Sequence, residues 1–282
     1  MHSIRELIKL STDYLEKKKI TSPRLCSEEL LAFVLKRKRL DLFLDYDQLL
    51  QTNEVDQYRS LMQRKGKGEP LGYLLGNAEF LGCHLTLSPS ALIPRQETEI
   101  LVNLALKEIS NEPKALWDLC CGSGAMGLAA KKHHPKLDVT LADISEDSLA
   151  LAKENALGNH LEVKFKQGDL LFPFIGEKAD IIFCNPPYVS EDEYSQLEKE
   201  VHFEPKCAHV AQDEGFEFYK RLAKELPAYL NPDAKVFLEI GHQQSIQVRA
   251  IFSKNHWKSI RCEKDWSGKD RFFFLEFSPE LP

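Results

Sequence analysis

The residues of this 282-residue chain that could most directly do chemistry are Asn185, Pro186, Pro187 and Tyr188, which follow the apolar run ADIIFC. The side-chain oxygen of Asn185 and the backbone carbonyl of Pro186 could each accept one N–H bond of an NH2 group. Pro187 removes a competing donor and stiffens the turn, and Tyr188 could lie against a planar group. Such a cradle would aim the nitrogen lone pair of an amide or exocyclic amine at an electrophile. The plainer interpretation is a loop, since Asn-Pro and Pro-Pro are common turn signals.

Two other features indicate a cofactor that carries adenosine. In DLCCGSGAMG, Gly122, Gly124 and Gly127 match the pattern G-x-G-x-x-G, which lets the backbone approach a ligand beside a helix N-terminus. Asp143 lies about 20 residues further on, at the end of the next strand, where an acidic side chain can accept hydrogen bonds from ribose hydroxyls. Each feature has a structural alternative: the glycines could form a simple turn, and Asp143 or Ser145 could cap the following helix.

These two features alone fit either NAD or S-adenosylmethionine. A dinucleotide needs a second nucleotide-binding half and a hydride acceptor site, and nothing in the fourth strand suggests either. The Asn185–Tyr188 segment favours S-adenosylmethionine, because an oriented amide nitrogen can attack its sulfonium methyl group without a full base.

The elements that must position these residues alternate between strands and helices. This pattern predicts a mostly parallel sheet covered on both faces, with ligands at the carboxyl ends of the strands. The predicted strands are 115–119, 138–143, 161–166, 179–184, 234–240 and 271–277. The predicted helices include 97–109, 146–157 and 214–226.

The N-terminal part of the chain has a helical pattern instead. Ser3 and Glu6 form a capping-box signature, and Ser22 with Pro23 marks a second helix start. We therefore predict an α/β protein with three parts. They are a helical substrate-docking domain at 1–75, a β-hairpin connector at 76–93 and a Rossmann-like methyltransferase domain at 94–282.

Composition excludes several classes of protein. No apolar stretch approaches the length of a membrane span, and the seven cysteines include no C-x-x-C pair, which argues against a disulfide framework or a zinc site and for a reducing cytoplasm. The histidines complete no metal site. The net charge of −6 is concentrated after residue 75, so a direct nucleic acid partner is not expected.

Taken together, the motifs resemble those of bacterial release-factor glutamine N5-methyltransferases. The resemblance covers nearly the whole chain and includes the segments LIPRQETE, ADISEDSLALAKENA, GDLL, EPKCAHVAQDEGFEFYKRL, LEIG and SGKDR. It implies a seven-stranded class I methyltransferase domain with one antiparallel strand near the edge. It also implies that S-adenosylmethionine is the methyl donor and that the glutamine of the Gly-Gly-Gln motif in peptide chain release factors is the acceptor.

The resemblance also implies roles for individual residues. The glutamine would be bound by Asn185, Pro186, Pro187 and Tyr188, of which Asn185, Pro186 and Tyr188 would be catalytic. The LIPRQETE segment would close over the cofactor. S-adenosylmethionine would be contacted by Cys120, Cys121, Gly122, Ser123, Gly124, Asp143, Asp169, Leu170 and Asn185.

Three positions depart from the family pattern: Cys120 replaces a glycine, Leu170 replaces an aromatic residue, and Gln96 replaces a proline. The turn must therefore avoid a positive φ at Cys120 or be strained, and Leu170 would pack less well against adenine. None of these departures removes a reacting group. We therefore expect small effects on cofactor affinity.

The sequence allows more than one role for Arg95, Glu99 and Glu239, and more than one function for the protein. Arg95 and Glu99 could form an ion pair of the closing segment, could touch the substrate, or could be a plain helix-start pair. Glu239 could orient the Asn185–Tyr188 segment, although an exposed charge at a strand end is the default. The alternative functions are methylation of an exocyclic amine in DNA adenine or RNA guanine, which would require base flipping, and cofactor binding without catalysis.

Overall fold

A computed structural model describes residues 2–253 and 256–279. It divides into two compact units. One comprises the residues up to Asn77 together with Glu198–Phe203, and the other comprises Ala78–Leu197 and the residues from Glu204 onward. Within the described ranges, no helix is both long enough and apolar enough to cross a membrane.

The first unit is built from helices around a small apolar core that includes Ile4, Leu15 and Leu31. The predicted capping box is confirmed, because Ser3 Oγ accepts from the backbone N–H of Glu6 and the Glu6 carboxylate accepts from that of Ser3. Ser22 precedes the second helix but makes no side-chain cap bond. The helices are α1 (Ile4–Lys17), α2 (Pro23–Leu35), α3 (Thr52–Lys65) and α4 (Leu71–Leu75).

A two-stranded hairpin, β1 (Asn77–Phe80) and β2 (Cys83–Thr86), starts at the last residue of the first unit's N-terminal part, and the second unit continues into a seven-stranded sheet. The strands of this sheet are β3 (Ala115–Leu119), β4 (Asp138–Asp143), β5 (Lys164–Gln167), β6 (Ala179–Cys184), β7 (Leu230–Glu239), β8 (Trp257–Lys264) and β9 (Asp270–Phe277). Their spatial order is β5-β4-β3-β6-β7-β9-β8. The strand β9 is antiparallel to both of its neighbours, and the other pairs are parallel.

This topology confirms the predicted mostly parallel sheet with one antiparallel strand near the edge. The strand β8 was not predicted, because an edge strand with many exposed polar residues lacks a continuous apolar run. The helices of this unit are α5 (Gln96–Leu106), α6 (Ala125–His133), α7 (Glu146–Gly158), α8 (Glu191–Gln196), the single turn α9 (Gln212–Gly215), α10 (Glu217–Glu225) and α11 (Ser245–Phe252). The predicted helix 214–226 therefore starts late, since Asp213 and Glu214 have positive φ angles.

The sheet places three loops together. Leu119 at the end of β3 is in register with Ala142 of β4 on one side and with Cys184 of β6 on the other. The loops that follow these three strands therefore meet at the same carboxyl edge.

Candidate active site

The glycine loop after β3 allows α6 to pack tightly on the sheet. A Cβ atom on Gly127 would lie 2.3 Å from Leu141 Cδ2, and one on Gly124 would lie 2.9 Å from Leu141 Cδ1. Gly124 also has a φ of +81°. The last two glycines of the pattern are therefore required by helix–strand packing and by backbone conformation.

Cys120 and Leu170 both adopt the left-handed conformation, with φ angles of 55° and 52°. The turn therefore does not avoid a positive φ at Cys120, and each of these residues carries a strain of about 1–3 kcal/mol. The Cys120 turn is held by hydrogen bonds from Cys121 N–H to Ala142 O and from Gly124 N–H to Cys121 O, at 3.0 and 2.8 Å.

Asp143 joins the ends of two loops. Its Oδ2 accepts from Gly122 N–H and its Oδ1 accepts from Ser145 N–H, both at 2.9 Å. Ser145, and not Asp143, caps α7, because Ser145 Oγ accepts from Ser148 N–H. Burial raises the pKa of Asp143, and the two backbone hydrogen bonds oppose that shift. Each carboxylate oxygen keeps acceptor capacity for a ligand hydroxyl.

Asp118 lies inside β3, fully buried beneath this loop. Its Oδ2 accepts from Gly127 N–H at 2.8 Å, whereas Oδ1 has no hydrogen-bond partner among the described residues. Burial raises the pKa of Asp118 from 3.8 to about 7, and the charge of Asp143 adds to the shift.

Substituting Asp118 by asparagine should make the folded protein less sensitive to alkaline pH. Because the folded-state pKa is raised, Asp118 favours folding most at acid pH, and that contribution is lost as pH rises toward about 7. The stability of Asp118→Asn relative to the parent should therefore increase by roughly 2–3 kcal/mol between pH 5 and pH 8. Urea unfolding at both pH values measures this, and a constant difference would contradict the assignment.

The Asn185–Tyr188 segment begins where β6 ends. Asn185 Nδ2 donates to Thr98 Oγ1 at 3.5 Å, and Thr98 in turn donates to Glu239 Oε2 at 2.6 Å. The hydroxyl of Tyr188 donates to Glu239 Oε1 at 3.4 Å. Burial raises the pKa of Tyr188, and the neighbouring Glu239 carboxylate raises it further. One carboxylate thus connects to both ends of the segment.

The expectation that Glu239 is exposed is wrong, because the residue is only 2% exposed. Thr98 was not singled out from the sequence, although it lies in the LIPRQETE segment. The structure also pairs Arg95 with Glu204, at 2.7 Å, and not with Glu99. The Glu99 carboxylate instead accepts from Leu81 N–H at 3.3 Å.

Glu204 is a buried residue that contacts two separate segments of the chain, and it was not singled out from the sequence. Its carboxylate accepts from Arg95 and from Ile93 N–H, and His209 Nε2 lies 2.9 Å away. The backbone of His209 accepts from Val189 N–H at 2.9 Å. Glu204 and His209 therefore link the segment that contains Arg95 to the residue that follows Tyr188.

A glutamine and a glycine fix the backbone of Tyr188. Gln244 Nε2 donates to Tyr188 O at 3.0 Å. Gly215 has a φ of +89°, and a Cβ atom there would lie 2.3 Å from the same carbonyl oxygen. Only a glycine at this position leaves room for the carbonyl.

One cavity gathers most of the predicted site residues. Gly124, Pro186 and Tyr188 do not line it. Phe218 and Met126 contribute apolar wall that the sequence did not indicate, and no group of three or more His, Cys, Asp or Glu in the described ranges could hold a metal ion. The predicted residues that line the cavity are Cys120, Cys121, Gly122, Ser123, Asp143, Asp169, Leu170, Asn185 and Pro187.

Comparisons with solved structures show the fold of the second unit's sheet to be a known one. A methyltransferase from Pyrococcus furiosus superposes with a TM-score of 0.53 at 21% identity, over 70% of this chain and 89% of that one. A ribosomal protein L11 methylase from Lactobacillus delbrueckii superposes with a TM-score of 0.50 at 22% identity, over 68% of this chain and 83% of that one. The fold is that of the class I methyltransferases, and the family model described as methyltransferase small domain matches residues 95–204.

Comparisons of sequence define the family more narrowly. The model of the PrmC N-terminal domain matches residues 6–76. The release factor glutamine methyltransferase of Chlamydia trachomatis serovar L2 is 38% identical over 97% of this chain and 94% of its own length. That of Aliivibrio fischeri is 34% identical over 95% of both chains. The chain belongs to the release factor glutamine methyltransferase family.

Proposed function

We propose that this protein transfers a methyl group from S-adenosylmethionine to the side-chain N5 of the glutamine in the Gly-Gly-Gln motif of peptide chain release factors. The observation that carries the proposal is the position of Asn185. Its carboxamide lines the same cavity as the glycine loop and Asp143, and its nitrogen is already engaged by Thr98. Its oxygen is therefore the atom available to an acceptor amide.

The cavity residues fit the proposed cofactor. Asp143 retains acceptor capacity suited to ribose hydroxyls, and the backbone at Gly122 has no side chain to obstruct a ligand. Leu170 and Phe218 supply apolar wall suited to a purine. S-adenosylmethionine would supply an electrophilic methyl group on a sulfonium centre.

The chain's own residues would orient the acceptor. The lone pair of an amide nitrogen is delocalised into its carbonyl, so the nitrogen is a poor nucleophile. Asn185 Oδ1 and Pro186 O would accept its two N–H bonds and present the lone pair to the methyl carbon. Fixing reactants in this way can supply effective molarities of about 10⁵–10⁸ M. The N–C bond would form as the S–C bond breaks and its electron pair stays on sulfur, and the surplus proton would then pass from the nitrogen to solvent, so no strong base is needed.

A labelling experiment tests the proposal. The protein is incubated with labelled S-adenosylmethionine and, in separate reactions, with a purified release factor, unmethylated DNA and unmethylated RNA. We expect one methyl group on the Gly-Gly-Gln glutamine, located by peptide mass spectrometry, and none on nucleic acid. Label on nucleic acid alone would identify the runner-up function, exocyclic-amine methylation.

We also propose that the helical unit docks the release factor. Leu40 and Leu44 are 70% and 81% exposed and lie only four residues apart, with the 38% exposed Phe43 between them, so they form a local cluster of exposed apolar side chains. Replacing both leucines by serine should raise the KM for the intact release factor about 30-fold, because each removed contact weakens association by roughly a kcal/mol and about 1.4 kcal/mol corresponds to a tenfold change. The KM for a short Gly-Gly-Gln peptide should not change.

The matched control is Leu157→Ser, which alters a 77% exposed leucine on α7. It should leave both KM values unchanged. Equal effects of the double substitution on the peptide and on the intact factor would show that the helical unit does not dock the factor.

A further inference from the structure

Glu239 is a buried carboxylate without a direct counterion. Its two oxygens accept from Thr98 and from Tyr188. Among the described residues no lysine, arginine or histidine forms an ion pair with it, and the charge of Arg271, which pairs with Asp265, acts on it only from a distance. Removing a carboxylate from water costs several kcal/mol unless it is well compensated. A stabilising role therefore explains Glu239 poorly, and its two hydrogen-bond partners suggest a different one.

The direction of the hydrogen bonds follows from the chemistry of each group. Burial raises the pKa of Glu239, whereas the hydrogen bonds from Thr98 and Tyr188 and the charge of Arg271 oppose that shift. Thr98 Oγ1 donates its one hydroxyl proton to Glu239 Oε2 at 2.6 Å, since an ionised carboxylate can only accept. The Thr98 oxygen can then only accept, and the one donor that Asn185 can offer to it is Nδ2. Because the carboxamide is planar, Asn185 Oδ1 is turned away from Thr98.

We propose that Glu239, acting through Thr98, is a positioning residue that fixes the orientation of the Asn185 carboxamide, and that this orientation makes the site select an NH2 acceptor over a carboxylate. The inference rests on the proposed function and names the source of its acceptor selectivity. In the opposite orientation, Asn185 would present Nδ2, which can bind a carboxylate oxygen but cannot accept an N–H bond.

Two substitutions of Thr98 form a matched pair. Thr98→Val keeps the shape of the side chain and removes its oxygen, whereas Thr98→Ser keeps the hydroxyl. With a purified release factor, Thr98→Val should lower the single-turnover rate of methyl transfer about 100-fold, because the acceptor geometry is no longer fixed. Thr98→Ser should recover the rate to within about threefold of the parent. Thr98 lines the cavity, and both variants should bind S-adenosylmethionine within about threefold of the parent's affinity, a change far smaller than the rate loss of Thr98→Val.

Substituting Glu239 by glutamine tests the carboxylate that accepts the hydrogen bond from Thr98. A glutamine can either donate to Thr98 or accept from it, so the direction of the hydrogen bonds is no longer unique. We expect a rate loss similar to that of Thr98→Val, again with unchanged cofactor affinity. Tyr188→Phe removes only the second contact of Glu239, and we expect it to cost less.

The selectivity of the site between an amide and a carboxylate can also be measured, and a purely structural role of Glu239 and Thr98 would not change it. A release factor that carries glutamate in place of the Gly-Gly-Gln glutamine should inhibit the parent weakly. It should inhibit Thr98→Val about tenfold more strongly, because Asn185 can then turn Nδ2 toward the carboxylate. Thr98→Val retains the Glu239 charge, so a change in local charge cannot account for this gain.

The outcomes separate the two proposals. If the parent methylates the release factor but Thr98→Val and Thr98→Ser behave alike, the positioning role of Glu239 is overturned and the proposed function stands. Loss of cofactor affinity in parallel with the rate would also overturn it, since that result indicates general damage to the site. If the parent does not label the release factor, the proposed function itself fails.

Discussion

Replacing Asn185 by alanine should reduce the rate of methyl transfer to the release factor by about 10³-fold, the largest loss expected from any single side chain of this protein. The substitution removes an acceptor that orients the amide nitrogen. It leaves intact the glycine loop and Asp143, which form the other side of the cavity. Cofactor affinity should therefore fall much less than the rate does, by roughly a factor of ten or less.

Single-turnover kinetics and equilibrium binding of S-adenosylmethionine measure the two quantities separately. Asn185→Asp is an informative companion, because it keeps one acceptor oxygen but places a second carboxylate near the Glu239 network. It should be at least as inactive as the alanine variant. An alanine variant within tenfold of the parent's rate would rule out the proposed role of Asn185.

Replacing Gly215 by alanine should lower the transfer rate about 100-fold although Gly215 does not line the cavity. Its Cβ atom would lie 2.3 Å from Tyr188 O and 2.9 Å from Gln244 Nε2. The Tyr188 carbonyl must then move, and we expect the short, proline-stiffened segment to pass part of this shift to the Pro186 carbonyl, two residues earlier. A shift of about 1 Å at a reacting group can cost 10²-fold in rate. The positive φ at Gly215 adds strain to the folded state.

Gly176→Ala separates these two effects. Gly176 has a similar φ of +83°, but a Cβ atom there would meet nothing within 4 Å. It should lose about 1 kcal/mol of stability in urea unfolding and keep the parent's rate. Equal rate losses in the two variants would show that backbone strain, and not the contact with Tyr188, causes the effect.

Local sequence signals predicted the elements that carry the site well. The strands β3, β4 and β6 begin and end at the predicted residues, because each is an apolar run that a polar residue or a turn terminates. The strand β5 begins three residues later than predicted, at Lys164, since its short pattern has little apolar character to define its start.

Long-range contacts could not be predicted in the same way. Thr98 lies on α5 and Glu239 ends β7, and only the folded chain brings them to 2.6 Å. The general tendency of charged residues to be exposed gave the wrong expectation for Glu239. The pairing of Arg95 with Glu204 joins residues 109 positions apart, whereas the sequence suggested its near neighbour Glu99.

The first unit is made of two separate segments of the chain, and this limits how the two units can be expressed separately. Glu198–Phe203 belongs to that unit although it follows α8, and Glu200 forms an ion pair there with Lys65, whose side chain is only 1% exposed. A single cut near residue 77 would leave this short segment without its partners and Lys65 without its counterion. Separate expression of the two units would therefore require the middle segment to be grafted or replaced, and the helices cannot be exchanged between relatives as a simple N-terminal module.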